Sequence, residues 1–312
     1  MTEQVHVAVG VLLDDQERVF IARRPLHAHQ GGLWEFPGGK VEPDEPVQHA
    51  LQREFQEEIG ITPLAPVPLL KIAHAYADKS VLLDVWLFQD YSGTPEGKEG
   101  QAIEWRSIAD LRVADFPAAN APILKALGLP AELAITPELA SWPELAALLT
   151  RYKALGLRLI QLLQKRLDRS TYIDWYLRAC EFCSLHNIRL MANADPDWLD
   201  SEVITDWHCS ARALTQLNSR PVAADSLFSV ACHNRQELAL AEQAGADFVL
   251  LSPVSPTKSY RPEDCLGWTG FTALANTVSL PVYALGGLQR EDLSRARQAG
   301  AIGLAGITAY LS

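Results

Sequence analysis

The stretch Gly39–Ile61, GKVEPDEPVQHALQREFQEEIGI, decides the fold of the first part of this chain. Apolar residues recur at every fourth position in its second half: Val47, Leu51 and Phe55. This period predicts a helix with one buried stripe. Gly60 suits the end of that helix, because glycine adopts the backbone conformation that a helix stop requires.

Three glutamates lie at positions i, i+3 and i+4 of the same helix: Glu54, Glu57 and Glu58. Carboxylates so spaced share one face and repel each other unless a cation lies among them. Hard oxygen ligands select Mg²⁺ or Mn²⁺, and such an ion polarises the phosphorus that water attacks. A solvated acidic face is the alternative. The preceding Pro37-Gly38-Gly39 favours a metal site, since glycine lets a backbone carbonyl come close to an ion.

The spacing of the whole stretch resembles the Nudix box, the motif of hydrolases that cleave nucleoside diphosphates linked to another moiety. Every fixed position of that pattern is filled here: Gly39, Glu45, Arg53-Glu54, Glu57-Glu58 and Gly60-Ile61. Four further segments resemble the MutT type, which hydrolyses oxidised guanine nucleotides: Ala22–Arg24, Leu33–Glu42, Gly97–Gln101 and Asp115–Asn120. The resemblance extends from about Val5 to Leu127.

The resemblance implies a set of metal ligands: Glu54, Glu57, Glu58 and Glu99, with the carbonyl of Gly38 or Gly39. Glu99 is expected to serve either as a ligand or as the base that activates water, and the choice of Glu54 or Glu99 as the base stays open. Arg53 is expected to orient the glutamates through charge-assisted hydrogen bonds. The implied cofactor is Mg²⁺, with Mn²⁺ as the alternative.

The same resemblance implies a nucleotide pocket in which Asn120 reads the purine, Arg24 and Phe36 lie beside it, and Tyr76 forms a stacking wall. An amide accepts and donates hydrogen bonds, so it distinguishes the N7–H donor of 8-oxoguanine from the N7 acceptor of guanine. The alternatives are a turn residue or helix cap for Asn120 and a surface charge for Arg24.

Length and composition indicate a soluble globular protein of two domains, with 312 residues, 48% hydrophobic and 21% charged. The net charge of −11 argues against a partner that is a nucleic-acid polymer. We expect a cytoplasmic protein without a membrane partner, because no apolar run reaches membrane length and the N-terminal residues lack a secretory pattern. The five cysteines are expected to be reduced, with Cys180 and Cys183 packing on a helix.

Residues 1–128 predict an α+β domain, a Nudix fold with a mixed sheet between helices. Val5–Leu13 and Val19–Arg24 predict a hairpin. Further strands are expected at Val81–Tyr91 and Ala102–Ile108, and a closing helix at Ala121–Leu127. Gly128-Leu129-Pro130 predicts the boundary.

Residues 129–312 alternate short apolar strands with helices, which predicts an α/β (β/α)8 TIM barrel. The eight predicted strands are Ala134–Thr136, Arg158–Leu163, Arg189–Asn193, Trp207–His208, Leu227–Ala231, Phe248–Leu251, Val282–Leu285 and Gly303–Ala305.

Ala244–Tyr260 and Leu280–Leu288 resemble thiamine phosphate synthase and its relative TenI, a thiazole tautomerase. The resemblance implies a thiamine-related phosphate as ligand, held by Ser255, Thr257, Lys258, Gly286, Gly287 and Gly306. The alternative is that these glycines only make tight turns. Lys165 and His233 are the implied catalytic residues of this domain. For His233, a helix cap or a satisfied polar group is the alternative.

The chain departs from the synthase pattern at three places. Leu163 replaces an arginine, and Ala194 replaces an aspartate that binds magnesium, unless Asp195 substitutes for it. His208–Ala211 stands where a G-Q-x-D pattern is expected. Synthase activity is therefore not expected.

These features predict a metal-dependent pyrophosphohydrolase that converts 8-oxo-dGTP to 8-oxo-dGMP and pyrophosphate, a role in nucleotide pool sanitation. One alternative is a Nudix hydrolase of a thiamine-pathway pyrophosphate. The barrel would then be a thiazole tautomerase or a noncatalytic phosphate-binding module.

Overall fold

The computed structural model describes residues 4–199 and 203–311. The chain forms two compact units, Met1–Leu129 and Pro130–Ser312. Residues 1–3, on which the expectation about export partly rests, lie outside the described part. Within the described residues, no helix is long and apolar enough to cross a membrane.

The first unit combines short strands with two α-helices. Its strands are β1 (Gln4–Leu12), β2 (Arg18–Arg23), β3 (Trp34–Glu35), β4 (Gly38–Lys40), β5 (Ile61–Pro63), β6 (Val67–Ala75), β7 (Ser80–Phe88), β8 (Tyr91–Gly93) and β9 (Ile103–Ser107), and its helices are α1 (Val47–Glu58) and α2 (Ala121–Leu127).

The strands form one mixed sheet and two smaller antiparallel ones, which confirms the predicted α+β class. The mixed sheet has the order β4-β1-β7-β6, and the others are β3-β2-β9 and β5-β8. In the mixed sheet β1 runs parallel to β7 and antiparallel to β4. This arrangement places the Gly38-Gly39 segment at one edge of the mixed sheet, directly beside β1.

The predicted hairpin of β1 and β2 is wrong, because the two strands belong to different sheets. Among the described residues a single bridge between Leu13 and Val19 joins their ends. The Asp14 carboxylate accepts the backbone N–H groups of Gln16 and Arg18 and closes the turn as expected. Beyond the turn, β1 pairs along all nine residues with β7. This long-range pairing outweighs the local pattern.

Helix α1 packs its apolar stripe against β1, as its period predicts. Leu51 and Phe55 are fully buried. A Cβ on Gly10 of β1 would lie 2.2 Å from the Phe55 ring, so the glycine permits this close contact. The helix ends as predicted at Gly60, whose φ is +79° and whose N–H donates to the Phe55 carbonyl over 2.9 Å. The buried stripe therefore turns the glutamates of α1 away from the core.

The second unit is a closed barrel of eight parallel strands, which confirms the predicted TIM barrel. Its strands are β10 (Glu132–Ile135), β11 (Leu159–Leu163), β12 (Arg189–Asn193), β13 (Trp207–Cys209), β14 (Phe228–Cys232), β15 (Phe248–Leu251), β16 (Val282–Leu285) and β17 (Gly303–Gly306), and its helices are α3 (Trp142–Ala154), α4 (Arg169–Leu185), α5 (Ala211–Leu214), α6 (Arg235–Gln243), α7 (Gly267–Ala275) and α8 (Leu293–Gln298).

The core of the second unit lies between its strands and helices, and the barrel closes through pairing of β10 with β17. Cys180 and Cys183 lie on α4 and are free, with Cys183 buried in that core. The expected packing of this pair on a helix is confirmed, and their reduced state stays a prediction.

Candidate active site

A cavity of about 310 Å³ in the first unit brings together the residues predicted to bind substrate. Its lining includes Arg24, Phe36, Tyr76 and Asn120, and the glycines Gly38 and Gly39 lie in the same wall. The rest of its apolar lining is aliphatic: Val5, Val7, Val9, Val81, Leu83, Pro117 and Ala119. A pocket in which apolar walls and convergent polar groups occur together is the usual form of a small-molecule site.

Asn120 is a buried amide with an unused acceptor. It is 7% exposed, and its Oδ1 has no hydrogen-bond partner among the described residues. It stands at the N-cap position of α2, but its side chain makes no capping bond. The residue thus occupies the predicted turn and cap position, but its side chain does not act as a cap. A buried, unpaired acceptor is costly in a folded protein and indicates a missing donor in the pocket.

Two aromatic residues bound the pocket. Phe36 is buried and stacks on Phe116, with ring centroids 5.5 Å apart. Tyr76, in the turn between β6 and β7, makes edge contacts with His29 and His74 at 4.8 and 4.4 Å. Because these contacts fix both rings, each can offer a face or an edge to a planar base.

Arg24 is held in place by neighbours on both sides. Its Nε donates to the His29 carbonyl over 3.0 Å, and its Nη1 forms an ion pair with Glu35. The side chain is 23% exposed, so the alternative of a free surface charge is wrong. Burial raises the pKa of Glu35, and the Arg24 charge opposes that rise.

Sequence reasoning missed Glu35. It also lines the pocket, between Trp34 and Phe36. The sequence contained an indication of its role. Glu35 lies in a short apolar segment, and a carboxylate in such a segment needs a cationic partner when the segment is buried.

Glu58 is the most perturbed carboxyl group of the site. Burial, followed by the negative charges of Glu35, Glu54 and Glu99, raises its pKa to about 8. The N–H of Gly38 lies 3.4 Å from its Oε2 and opposes the rise. Several carboxylates thus crowd around one point, where a cation would relieve their repulsion.

Arg53 contacts the carboxylates of α1 and of the preceding loop. It binds both oxygens of Glu45 over 3.0 Å and donates to Glu54 Oε1 over 2.7 Å. Its contact with Glu57 is longer, at 3.5 Å, and the Glu57 side chain is 61% exposed. Of the three predicted metal ligands on α1, Glu54 and Glu58 are therefore partly buried, whereas Glu57 is exposed.

Gly38 and Gly39, which precede α1, must be glycines because other atoms lie where a Cβ would be. A Cβ on Gly39 would lie 2.2 Å from the carboxyl carbon of Glu54. Gly38 has φ of +147°, and a Cβ there would lie 2.1 Å from the Ala8 carbonyl oxygen. Only glycine lets the backbone pass so close to the acidic residues.

Glu99 reaches the acidic residues because its loop is tied to the end of α1. The Lys98 N–H and the Gln101 side-chain amide both donate to the Glu58 carbonyl, over 2.9 and 3.0 Å. Glu99 is exposed, yet its charge acts on Glu58. The loop therefore holds a carboxylate from outside the helix near the end of α1.

The donor set suits a hard divalent cation, since several carboxylates lie close to the backbone of Gly38 and Gly39. In the described residues, no three acidic, histidine or cysteine side chains are already arranged to hold an ion. The predicted trio of Glu54, Glu57 and Glu58 is thus not preformed, and Arg53 contacts two of its members, Glu54 and Glu57. Their role as ligands stays a prediction.

In the barrel, the predicted phosphate loops contain tight turns. Gly286 and Gly287 have φ of +104° and +68°, and a Cβ on either would strike the segment at 253–256. The Thr257 hydroxyl accepts the N–H groups of Ser259 and Tyr260. The tight-turn alternative describes the backbone of these two glycines. The phosphate contacts stay a prediction for all six residues: Ser255, Thr257, Lys258, Gly286, Gly287 and Gly306.

The two predicted catalytic residues of the barrel have different surroundings. The Nδ1 of His233 lies 2.9 Å from Glu237, next to the start of α6, so the satisfied-polar alternative describes its contacts. Lys165 lies 3.9 Å from Asp195. Burial lowers the pKa of Lys165, and the charge of Asp195 opposes the decrease.

A polar group that sequence reasoning did not single out lies inside the barrel. Trp207 and Cys209 pack into the outer core, so His208 between them points inward. Its Nδ1 lies 2.8 Å from the Ser229 hydroxyl on the next strand. Burial, followed by the charge of Lys165, lowers the pKa of His208 to about 3. His208 is therefore neutral at physiological pH.

Comparison with known proteins assigns a family to each unit. A family described as NUDIX domain matches residues 8–126, and one described as thiamine monophosphate synthase matches residues 133–310. The 8-oxo-dGTP diphosphatase of Escherichia coli K12 is 40% identical over 125 residues, which cover 40% of this chain and 97% of that protein.

Two other relatives differ in the activity that they are named for. The CTP pyrophosphohydrolase of Escherichia coli K12 is 34% identical over 118 residues, covering 38% of this chain and 87% of that protein. A candidate thiamine-phosphate synthase of Geobacter sulfurreducens is 28% identical over 159 residues, covering 50% of this chain and 75% of that protein.

Proposed function

The chain belongs to the NUDIX family in its first unit and to the thiamine monophosphate synthase family in its second, and we propose that the first unit hydrolyses 8-oxo-dGTP to 8-oxo-dGMP and pyrophosphate. As a NUDIX hydrolase it acts on phosphoanhydride bonds. The substrate is proposed from the pocket, because family membership alone leaves the base undecided.

The unpaired Oδ1 of Asn120 carries the proposal. It lies buried in the wall of the pocket, where none of the residues that the structure describes donates a hydrogen bond to it. The N7–H of 8-oxoguanine is such a donor, whereas guanine presents an acceptor at N7. A site with a buried group that one ligand satisfies and its analogue leaves unpaired discriminates strongly.

Arg24 and Phe36 supply the other contacts to the base. Nε and Nη1 of Arg24 are engaged by His29 and Glu35, so its Nη2 is the nitrogen that remains for a purine oxygen. Phe36 is held by Phe116 and offers an apolar surface to the ring. These fixed side chains orient the base without ordering new groups when it binds.

Hydrolases of this family generally need a divalent ion such as Mg²⁺. Glu54, Glu58 and Glu99, with the carbonyl of Gly38 or Gly39, would hold it, and Glu57 would join from the solvent side. When bound, the ion neutralises the polyphosphate and polarises the phosphorus. Arg53 holds Glu54 in its orientation, and either Glu54 or Glu99 takes the proton from water.

A second substrate class is motivated by the fused second unit. A thiamine-pathway pyrophosphate presents no purine to Asn120, so its hydrolysis would not depend on that amide. The relative named as a CTP pyrophosphohydrolase adds a pyrimidine nucleotide to the same group of alternatives.

For the barrel we propose binding of a thiazole phosphate without synthase chemistry. Ala194, where the synthase pattern has an aspartate, is buried in the core, and Asp195 lies within reach of Lys165. The proposed ligand needs no magnesium carboxylate. Calorimetry with thiazole phosphate tests this. Binding without turnover indicates a binding module, and turnover indicates a tautomerase. The absence of binding contradicts both hypotheses.

The assay for the first unit uses the purified full chain with Mg²⁺ and four substrates: 8-oxo-dGTP, dGTP, CTP and thiamine pyrophosphate. Phosphorus NMR identifies the products. We expect the highest kcat/KM for 8-oxo-dGTP, with pyrophosphate released. Equal turnover of 8-oxo-dGTP and dGTP contradicts the base specificity, and preferred turnover of thiamine pyrophosphate supports the second substrate class.

A further inference from the structure

Glu35 offers a free carboxylate oxygen to the cavity of the first unit. Its Oε2 accepts a hydrogen bond from Nη1 of Arg24, whereas its Oε1 has no hydrogen-bond partner among the residues that the structure describes. The side chain lines the cavity, and 26% of it is exposed. Because each carboxylate oxygen is an acceptor in its own right, Oε1 keeps its full capacity for a donor from a ligand.

The alternation of side chains along β3 directs Glu35 toward the cavity. Its neighbour Trp34 lies on the other face, where the guanidinium carbons of Arg106 and Arg23 are 4.8 and 5.8 Å from the centroid of its ring. Successive side chains of a strand point to opposite faces, so Glu35 points away from these two cations. On the cavity side it is paired with Arg24.

Two acceptors in this cavity thus receive no hydrogen bond from the described residues: Oδ1 of Asn120 and Oε1 of Glu35. An oxidised guanine carries donors on two separate edges. Its N7–H lies on the edge that the proposed function assigns to Asn120. Its N1–H and its 2-amino group lie side by side on the other edge, and a carboxylate oxygen binds such donors through a charge-assisted hydrogen bond.

We propose that Glu35 recognises the 2-amino group of the base through Oε1 and is a second specificity-determining residue of the pocket. The proposal rests on the proposed function and assigns a separate task to each acceptor. Asn120 distinguishes oxidised guanine from guanine, and Glu35 distinguishes guanine-type bases from other purines. Adenine has an acceptor at N1 and no 2-amino group, so it leaves Oε1 without a donor.

The ion pair with Arg24 determines what a substitution of Glu35 does to the cavity. Nη1 of Arg24 is a donor and needs an acceptor, so in Glu35→Gln the amide oxygen stays on Arg24 and the amide NH2 group faces the cavity. The atom that faces the base changes from an acceptor to a donor, while Arg24 keeps its partner. The substitution therefore separates recognition of the base from the orientation of Arg24.

The first test uses the natural protein alone. Calorimetry on the full chain at pH 8 with saturating Mg²⁺ gives the Kd of 8-oxo-dGMP and that of 8-oxo-dIMP, which lacks only the 2-amino group. We expect 8-oxo-dIMP to bind about 10-fold more weakly, at the low end for a hydrogen bond to a charged group, because water reaches part of the Glu35 side chain. Equal Kd values overturn the proposal, since they are expected if Glu35 only holds Arg24.

The second test repeats both titrations with Glu35→Gln and adds dGMP. The Kd values of 8-oxo-dGMP and 8-oxo-dIMP should now agree within about twofold. The ratio of the Kd values of dGMP and 8-oxo-dGMP should stay that of the natural protein, because both bases carry the 2-amino group. All three ligands have the same phosphate, so a change in ion binding cancels in these ratios. A variant that still prefers 8-oxo-dGMP to 8-oxo-dIMP overturns the proposal.

Glu104→Gln is the matched control. Glu104 is a strand carboxylate paired with Arg106 in the same small sheet, and it does not line the cavity. It should retain both Kd ratios of the natural protein. A natural protein that prefers 8-oxo-dGMP to dGMP but not to 8-oxo-dIMP overturns the role of Glu35 alone. Failure to bind 8-oxo-dGMP more tightly than dGMP contradicts the proposed function itself.

Discussion

Arg53 holds Glu54 by a hydrogen bond of 2.7 Å from Nη1 to Oε1, while its other nitrogens bind both oxygens of Glu45 and the carbonyl of Lys40. The guanidinium thus ties the loop before α1 to the helix. It fixes the carboxylate of Glu54 beneath Gly39, where the backbone leaves room for it. The orientation of Glu54 is therefore set before any ion binds.

Arg53→Lys should lower kcat about 10- to 100-fold with little change in KM, because a lysine cannot bridge two carboxylates in a fixed plane. Steady-state hydrolysis of 8-oxo-dGTP at saturating Mg²⁺ measures this. Arg112→Lys is the control, since Arg112 is largely exposed and pairs with Asp115 outside the acidic residues. An unchanged kcat would show that Arg53 does not orient the carboxylates.

Gly39→Ala should lower kcat about 100-fold, as displacement of a catalytic group by roughly an ångström does. The new methyl group would overlap the Glu54 carboxyl group, which must then rotate away from its present position. Gly128→Ala is the matched control, because a Cβ there meets its nearest neighbours at an ordinary 3.6 Å. Full activity of Gly39→Ala would contradict the placement of Glu54 at the reacting phosphate.

The barrel should lose stability in acid because of His208. Burial lowers its pKa in the folded state from 6.5 to about 3. Below pH 6.5 the unfolded chain binds a proton that the folded chain does not, so the free energy of unfolding falls as the pH decreases from 6.5 toward 3. His208→Gln retains a hydrogen-bonding side chain beside Ser229 and removes this titration.

Urea unfolding at pH 7 and pH 4.5, followed by tryptophan fluorescence, measures the effect. The loss of stability between the two pH values should be smaller in His208→Gln than in the natural protein. His186→Gln is the control, since His186 is at the end of α4 and is not buried. The same pH dependence in all three proteins would contradict the assignment of a neutral, buried His208.

The barrel could be predicted almost completely from the sequence, since each of its strands is a short apolar run that pairs in parallel with its neighbours in the chain. Strand β13, for example, was expected at Trp207–His208 and extends to Cys209. In the first unit the same reasoning placed α1 but missed β6. The pairing of β1 with β7 is a long-range contact that no local period reveals, whereas β6 and β7 are neighbours joined by a short turn.

In the site as well, some residues could be predicted from sequence motifs and others depend on tertiary contacts. Asn120, Arg24 and Phe36 were expected in one pocket because their motifs match a family, and the fold brings them there. Glu35 was missed because its importance comes from two partners distant in sequence, Arg24 and Glu58. The exposure of Glu57 was also not predictable, since helical spacing gives the face of a residue but not the contacts made by Arg53.

Asn120→Ala separates the proposed substrate from its alternatives. Removal of the amide leaves the N7–H of 8-oxoguanine without its acceptor, so kcat/KM for 8-oxo-dGTP should fall about 100-fold, whereas that for dGTP should change less than about threefold. Turnover of a thiamine or pyrimidine substrate should be unaffected. The measurement is the ratio of kcat/KM values for 8-oxo-dGTP and dGTP, with Asn276→Ala, an exposed asparagine at the end of α7, as the control. If the ratio survives in Asn120→Ala, the buried amide does not read the base, and the specificity must come from Arg24 and the aromatic walls.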